Sequence, residues 1–307
     1  METIGGCGLV LNGGGGKGAY QIGVLKALME HRMLDDVTAV AGNSIGSINA
    51  VLFAMGDMEK MEAVWKDIDI LDVIDFEPSE QTSAIPTATR DGMYKLMEKY
   101  IDYRMISEDA ITIYCAASEI VGNDESYIPR YFSLNDKSKE EIQKILLAST
   151  ALPIIYDSVE IDGKKYRDGG LVDNEPIQPL YDLGLRKFII IGLDALRVFD
   201  PTPFPDAEFI VIYPSHDLGF LISGTLNFDN YSKEIKKELG YKDGLRAIRT
   251  KFEKDPMAIR MEALLAEQDY QDVLREVEAR RRRSELEKSV SDNLAKFNAI
   301  ADKYGDL

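Results

Sequence analysis

The sequence predicts an α/β domain built on a parallel sheet with helices packed over it, and three observations carry that reading. Two strand–loop–helix units follow one another within the first 55 residues, and such pairs imply parallel strands joined by covering helices. Short β-rich runs recur as far as residue 213 with helical stretches between them. The composition, 45% hydrophobic and 29% charged over 307 residues, is that of a globular chain. This length suits one large domain, or a domain of about 200–250 residues with an appended piece.

Taken in order, Gly8 to Leu11 (Gly-Leu-Val-Leu) reads as a short buried strand that runs through Asn12 into a glycine cluster, after which Ala19 to Arg32 is helical. The pattern repeats at once, with Val37 to Ala41 as a strand, Gly42-Asn43-Ser44-Ile45-Gly46 as the turn and Ile48 to Met55 as a helix. Met58 to Ile68 is helical, residues 69–91 are acidic, contain proline and read as an irregular, mobile cover, and Gly92 to Tyr103 is another helix. Ile111 to Ala117 and Tyr127 to Leu134 are strands, and Lys139 to Leu147 is a helix leading into Ala148-Ser149-Thr150-Ala151-Leu152-Pro153. Val159 to Arg167 alternates around Asp162-Gly163, a hairpin whose second strand delivers Asp168-Gly169-Gly170. Lys187 to Leu193 and Glu208 to Tyr213 complete the strands. Beyond residue 228 the chain is helical and highly charged, and Leu286, Val290, Leu294, Phe297, Ala301 and Tyr304 recur along one helix face. That face calls for a partner surface, either the domain itself or, through helix-mediated homo-oligomerisation, a second copy.

Charge and composition exclude several classes. A formal net charge of −17 argues against nucleic-acid binding, which needs clustered Lys and Arg. No apolar run approaches the length of about 18 residues that a spanning helix requires, and Met1 to Gly5 has no secretory character. The expectation is a cytoplasmic protein that works in solution or peripherally at a membrane. Cys7 and Cys115 sit in apolar, strand-like stretches and read as small buried hydrophobes rather than a disulfide. Arg280 to Arg283 read as a solvated helix face, with contact to anionic headgroups as the alternative. Asp67, Asp69, Asp72 and Asp75 lack the central glycine and terminal glutamate of a calcium loop, so no metal is assigned.

Two motifs carry chemistry. Gly-x-Ser-x-Gly is a common pentapeptide, but Ser44 stands where a strand ends and a helix starts, the arrangement that lifts a hydroxyl out of a strained turn while Gly42 and Gly46 let neighbouring backbone approach. The second motif, Gly13-Gly14-Gly15-Gly16-Lys17-Gly18, admits three readings. A phosphate loop would need glycine at Leu11 and a hydroxyl at Gly18. A dinucleotide fingerprint fits Gly13, Gly15 and Gly18 but lacks the acidic ribose partner, since Ala41 and Gly42 close the next strand. An oxyanion hole fits, because consecutive glycines can turn amides toward one point and the following helix adds its dipole. Lys17 would strengthen that positive field or brace the loop on a carbonyl or carboxylate. For a base, His31 lies several turns down the first helix, leaving His216 as the triad candidate and Asp168, framed by Gly169 and Gly170, as the other. An aspartate in that role needs burial to raise its pKa, which favours ester over amide cleavage.

These residues resemble the patatin-like phospholipases. The glycine cluster followed by Ala19-Tyr20-Gln21-Ile22-Gly23-Val24-Leu25, the Gly42 to Gly46 turn, Ala148 to Pro153, and Asp168 to Gly170 with Val172-Asp173-Asn174-Glu175-Pro176 fall in that family's order, across roughly residues 5–245. The resemblance implies a three-layer α/β/α fold with a mostly parallel sheet, a Ser–Asp dyad without histidine, and calcium-independent hydrolysis of acyl-lipid esters. Carried onto this chain, Ser44 attacks, Asp168 takes its proton and the amides of Gly14, Gly15 and Gly16 hold the oxyanion, with no cofactor. Residues 1–249 would form the catalytic domain and 250–307 a helical extension outside the resemblance. Two positions depart from the family: Lys17 stands where arginine is usual, losing a bidentate fork, and Ile45 replaces a small residue and would narrow the pocket beside Ser44.

The reading is therefore a serine esterase acting on acyl lipids. An acyltransferase would share its first half-reaction, and a nucleotide-binding scaffold is the non-enzymatic alternative. Ordinary core packing is the expectation for Leu218 to Leu226, with an acyl groove or a membrane-facing rim as the other uses of Phe220, Leu221 and Ile222.

Overall fold

The structure is a computed structural model that describes residues 5–73, 90–106, 111–122, 126–153, 155–251 and 255–304. Eight strands form one mixed sheet: β1 (Cys7–Leu11), β2 (Val37–Asn43), β3 (Thr112–Val121), β4 (Ser126–Ser133), β5 (Val159–Ile161), β6 (Lys164–Asp168), β7 (Lys187–Ile191) and β8 (Glu208–Ile212). β3, β2, β1, β7 and β8 run parallel as neighbours in that order. β4 and β6 join β3 antiparallel, and β5 closes a hairpin with β6. Asp162 and Gly163, both at positive φ, make the hairpin turn.

β3 is longer than its parallel neighbours, and that length shapes the site. β4 pairs with β3 from Tyr114 to Val121 and so takes one edge. The opposite edge is shared: β2 occupies it as far as the pair Asn43–Ala116, and β6 begins at the adjoining pair Asp168–Ala117. The carboxyl ends of β2 and β6 therefore meet end to end against β3.

Alternation along β1 sends Leu9 and Leu11 to one core and Val10 to another. The larger core is covered by α1 (Ala19–Glu30), α2 (Ile45–Ala54), α3 (Met58–Asp67), the single turn α4 (Ile70–Val73), α5 (Asp91–Tyr100) and α6 (Lys139–Ser149). The other face carries a thinner layer, made by α7 (Gln178–Asp182) and the ring cluster Phe188, Phe199, Phe204 and Phe209. The layers are thus those of an α/β/α sandwich. α8 (Asn230–Thr250) lies along α1, and α9 (Pro256–Tyr304) packs on α8.

Several expectations change here. Of the acidic cover, Ile70–Val73 is helical, and residues 74–89, Asp75 among them, lie outside the described residues. Ala266, Val273 and Val277 bury the first part of α9, whereas Leu286, Val290 and Leu294 stay exposed, so those positions do not pack back onto the domain. The side chains of Phe297, Ala301 and Tyr304 lie outside the described residues. Leu218 is buried as core packing requires, but Phe220, Leu221 and Ile222 are not; they ride a single π-helical turn, Leu221–Thr225, that holds them outward. Both cysteines are free thiols, and burial raises each pKa to about 11, which leaves them unreactive.

Candidate active site

Ser44 stands at the hinge between β2 and α2 with φ +52° and ψ −127°, a conformation costing a non-glycine residue about 1–3 kcal/mol. Gly42 and Gly46 make the hinge possible, since a Cβ on Gly42 would strike the Gly46 carbonyl and one on Gly46 the Leu11 carbonyl. The strain is held from outside. The Ser44 amide donates to Ser149 Oγ at 2.8 Å, and Ser149 Oγ donates to the Ala116 carbonyl at 2.6 Å. On the other side of the turn Ser47 Oγ donates to the Ser44 carbonyl at 2.6 Å.

Asp168 ends β6 and is almost wholly buried. Its amide donates to the Ala151 carbonyl at 2.9 Å, and its carbonyl accepts from Ser118 Oγ at 2.9 Å. Gly170 donates its amide to Asp168 Oδ1 at 2.9 Å, and the Gly169 carbonyl shares the Ser118 hydroxyl at 3.2 Å. Asp168 Oδ2 closes no hydrogen bond among the described residues. Burial pushes the Asp168 pKa up to about 6, while the Ser44 hydroxyl and the Gly170 amide pull in the opposite direction. Ser149 and Ala151, two residues apart, thus hold the backbones of Ser44 and Asp168 respectively.

The glycine loop forms the third wall. Gly13 lies against the Ser44 Cβ and donates its amide to Asn174 Oδ1 at 2.9 Å, the same oxygen that accepts from Asn43 Nδ2 at 2.7 Å. Gly14 leads into a 3₁₀ turn, Gly15–Gly18, that opens directly into α1. Amides in the first turn of a helix have no intrahelical acceptor, and those of Gly14, Gly15 and Gly16 close no loop or side-chain hydrogen bond among the described residues. Gly15 has φ +55° and packs on the Thr225 backbone, where a side chain has neither the conformation nor the room. Beneath the loop runs a buried polar chain. Gln21 Nε2 donates to the Asn12 carbonyl at 2.8 Å, Asn49 Nδ2 to Gln21 Oε1 at 2.8 Å and to the Gly18 carbonyl at 3.2 Å, and Trp65 Nε1 to Asn49 Oδ1 at 2.9 Å.

The brace expected of Lys17 comes from a different residue. Lys17 closes no side-chain hydrogen bond or ion pair among the described residues, and its stem lies against Gly224. Lys236 of α8, buried, donates to the carbonyls of Gly16 and Gly224 at 3.3 Å each and of Asn227 at 3.2 Å, fastening the glycine loop to the 219–228 segment above it. Desolvation lowers the Lys236 pKa to about 8. Ile45 is buried beside Gly18 in the larger core. Ser149, Asn174 and Lys236 carried no individual signal in the sequence. The first two lie inside motifs already singled out, whereas Lys236 reads as one more charge on a helix.

Neither histidine comes to Ser44. His31 follows α1 at the end remote from the glycine loop and bonds the Ala27 carbonyl. His216 is stacked on Tyr270, with Nε2 on Glu267 at 2.8 Å and Nδ1 on Ser215 Oγ at 3.2 Å. Arg280 pairs with Glu234 and Glu238, Arg281 with Glu278 and Arg282 with Glu278, so most of the basic run is matched within the chain. A cavity of about 860 Å³ between α3, α8 and α9, lined by Trp65, Tyr231 and Val277, includes neither Ser44 nor Asp168. Among the described residues no helix is long and apolar enough to cross a membrane.

Comparison with known proteins agrees with this architecture. Lysophospholipase NTE1 of Kluyveromyces lactis is 26% identical over 210 residues, covering 64% of this chain and 13% of that protein. An uncharacterized NTE family protein of Mycobacterium bovis is 24% identical over 203 residues, covering 65% of this chain and 51% of that one. The chain therefore spans at most about half the length of these curated relatives. The crystal structure of VipD from Legionella pneumophila superposes with a TM-score of 0.53 at 16% identity, over 80% of this chain and 67% of that one, and shows the same fold. The family model for patatin-like phospholipase matches residues 9–181, more than half of the 307, and the chain belongs to that family.

Proposed function

We propose that the chain hydrolyses acyl esters of phospholipids or lysophospholipids through a Ser44–Asp168 dyad and an acyl-serine intermediate. The observation that supports this reading is the abutment of β2 and β6 on β3, since β2 leads directly into Ser44 and β6 ends at Asp168, a buried carboxylate with one oxygen unfilled among the described residues. Ser44 Oγ attacks the acyl carbonyl as its proton passes to Asp168 Oδ2, and the carbonyl electrons move onto an oxygen held by the amides of Gly14, Gly15 and Gly16. Collapse breaks the ester bond, and the leaving alcohol takes the proton from Asp168. A water then gives its proton to Asp168 and attacks the acyl-serine, and Ser44 recovers a proton as the fatty acid leaves. A base with a pKa near 6 is strong enough when the amides stabilise the developing charge, and an alkoxide is expelled far more readily than the nitrogen anion of an amide. Esters are accordingly the substrate class, and the NTE1 relative's name as a lysophospholipase agrees with an acyl-lipid ester.

The test is release of fatty acid from a panel of phospholipids and lysophospholipids, with labelling by a fluorophosphonate. Ser44→Ala and Asp168→Asn should each remove turnover, Ser44→Ala should remove labelling, and His216→Ala should leave both intact. Turnover that survives Asp168→Asn, or is lost in a folded His216→Ala protein, overturns the dyad. Adding alcohol acceptors in competition with water shows whether the acyl group goes to water or to another hydroxyl.

A further inference from the structure

The loops that follow β7 and β8 leave the sheet at the same end as the glycine loop and Ser44, because β2, β1, β7 and β8 are parallel neighbours. Their inner sides pack on that loop: Leu193 abuts Gly14, Thr225 abuts Gly15, and Asn227 abuts Gly16. Their outer sides are apolar and unusually bare. Leu196 is 89% exposed, Val198 86%, Phe220 85% and Ile222 80%, and Leu221 between the last two is half exposed. Leu171 and Val172, immediately after the Asp168 turn, are also exposed. Large apolar side chains standing this free, on two loops that pack on the glycine loop through Leu193, Thr225 and Asn227, mark a surface that meets an apolar phase.

Charge selects among the surfaces such a rim could meet. The charged groups within the two loops are Asp194, Arg197, Asp200, Asp206, Asp217 and Asp229, and Arg197 is paired with Glu175. The whole chain carries −17, so an anionic bilayer would repel it. We infer that Leu196, Val198, Phe220, Leu221 and Ile222 form a docking rim that inserts into a zwitterionic or neutral lipid surface and places the Ser44 opening directly on it. The inference rests on the lipid-hydrolase reading. It adds the physical form of the substrate, a lipid taken from an aggregate rather than from solution, and the headgroup charge the rim accepts.

The experiment uses the full chain carrying Ser44→Ala, so that vesicles stay intact, and measures flotation with phosphatidylcholine vesicles. Pairwise replacement by Phe220→Ser with Ile222→Ser, and by Leu196→Ser with Val198→Ser, should each lower partitioning at least about tenfold, the loss of two membrane-buried apolar side chains. The same pairs with Ser44 restored should hydrolyse a soluble short-chain ester at the parental rate, showing that fold and dyad are untouched. Partitioning that is absent in the parent, indifferent to both pairs, or present only when phosphatidylserine is added overturns the inference. So does a parent that sediments as a dimer which either pair dissociates, since a second copy would then occupy the rim. Failure of the soluble ester assay in the parent would instead refute the hydrolase reading, independently of flotation.

Discussion

Asp168 gives the sharpest quantitative prediction. With its pKa at about 6, the carboxylate is about 90% ionised at pH 7 and about 10% at pH 5, so turnover of a soluble ester should fall about tenfold per pH unit below 6. The same burial bears on stability. An unfolded aspartate titrates near 3.8, and the folded one near 6. A raised acid pKa stabilises the fold fully below about 3.8, where both states are protonated, and that contribution is lost as pH rises through 6. The difference between the two titration points corresponds to about 3 kcal/mol in total. Asp168→Asn keeps an oxygen for the Gly170 amide and removes the charge. It should therefore be inactive yet melt several degrees higher than the parent at pH 8, with the gap closing as pH falls to 4. The assays are a pH–rate profile from pH 4.5 to 9 and thermal melts at pH 8 and pH 4. A rate break near 4, or an Asp168→Asn protein destabilised equally at both pH values, would refute the assignment of a buried base.

Other perturbations probe the supports. Ser149→Ala strips partners from the Ser44 amide and the Ala116 carbonyl, each buried, at about 1–3 kcal/mol apiece; labelling of Ser44 should slow well beyond the loss in melting temperature, whereas labelling that merely tracks stability would reduce Ser149 to a packing role. Lys236→Met removes three donated hydrogen bonds and should raise protease cutting within 219–228 and lower kcat, read by limited proteolysis alongside steady-state kinetics. Gly15→Val demands a positive φ of a β-branched residue where the Thr225 carbonyl already stands, and should abolish turnover in a chain whose far-ultraviolet spectrum is unchanged.

Local chemistry was legible before the fold was. The strand–turn–helix at Ser44, the hairpin around Asp162-Gly163 and the glycine cluster each announce themselves within a few residues, since period, turn preference and backbone freedom are properties of short segments. What stayed hidden depends on pairing across the chain. Nothing within Lys164 to Asp168 tells that β6 shares an edge of β3 with β2, yet that arrangement sets the strand ends that carry Asp168 and Ser44 against one another. Lys236 has the composition of a surface residue, and only the closeness of α8 to the glycine loop buries it. Phe220 and Ile222 have the composition of core, and a π-helical turn reverses their side.

The oxygen Asn174 Oδ1 joins the amide of Gly13 to the side chain of Asn43, partners 161 and 131 residues distant in sequence. No stretch of chain can assemble this centre early from its own neighbours. During synthesis, Ser44 leaves the ribosome well before either Asp168 or Asn174, the asparagine that anchors the loop. On the proposed dyad, the nascent chain therefore stays chemically silent until its sheet is nearly finished, and a break upstream of residue 168 yields a fragment that has the serine without its base.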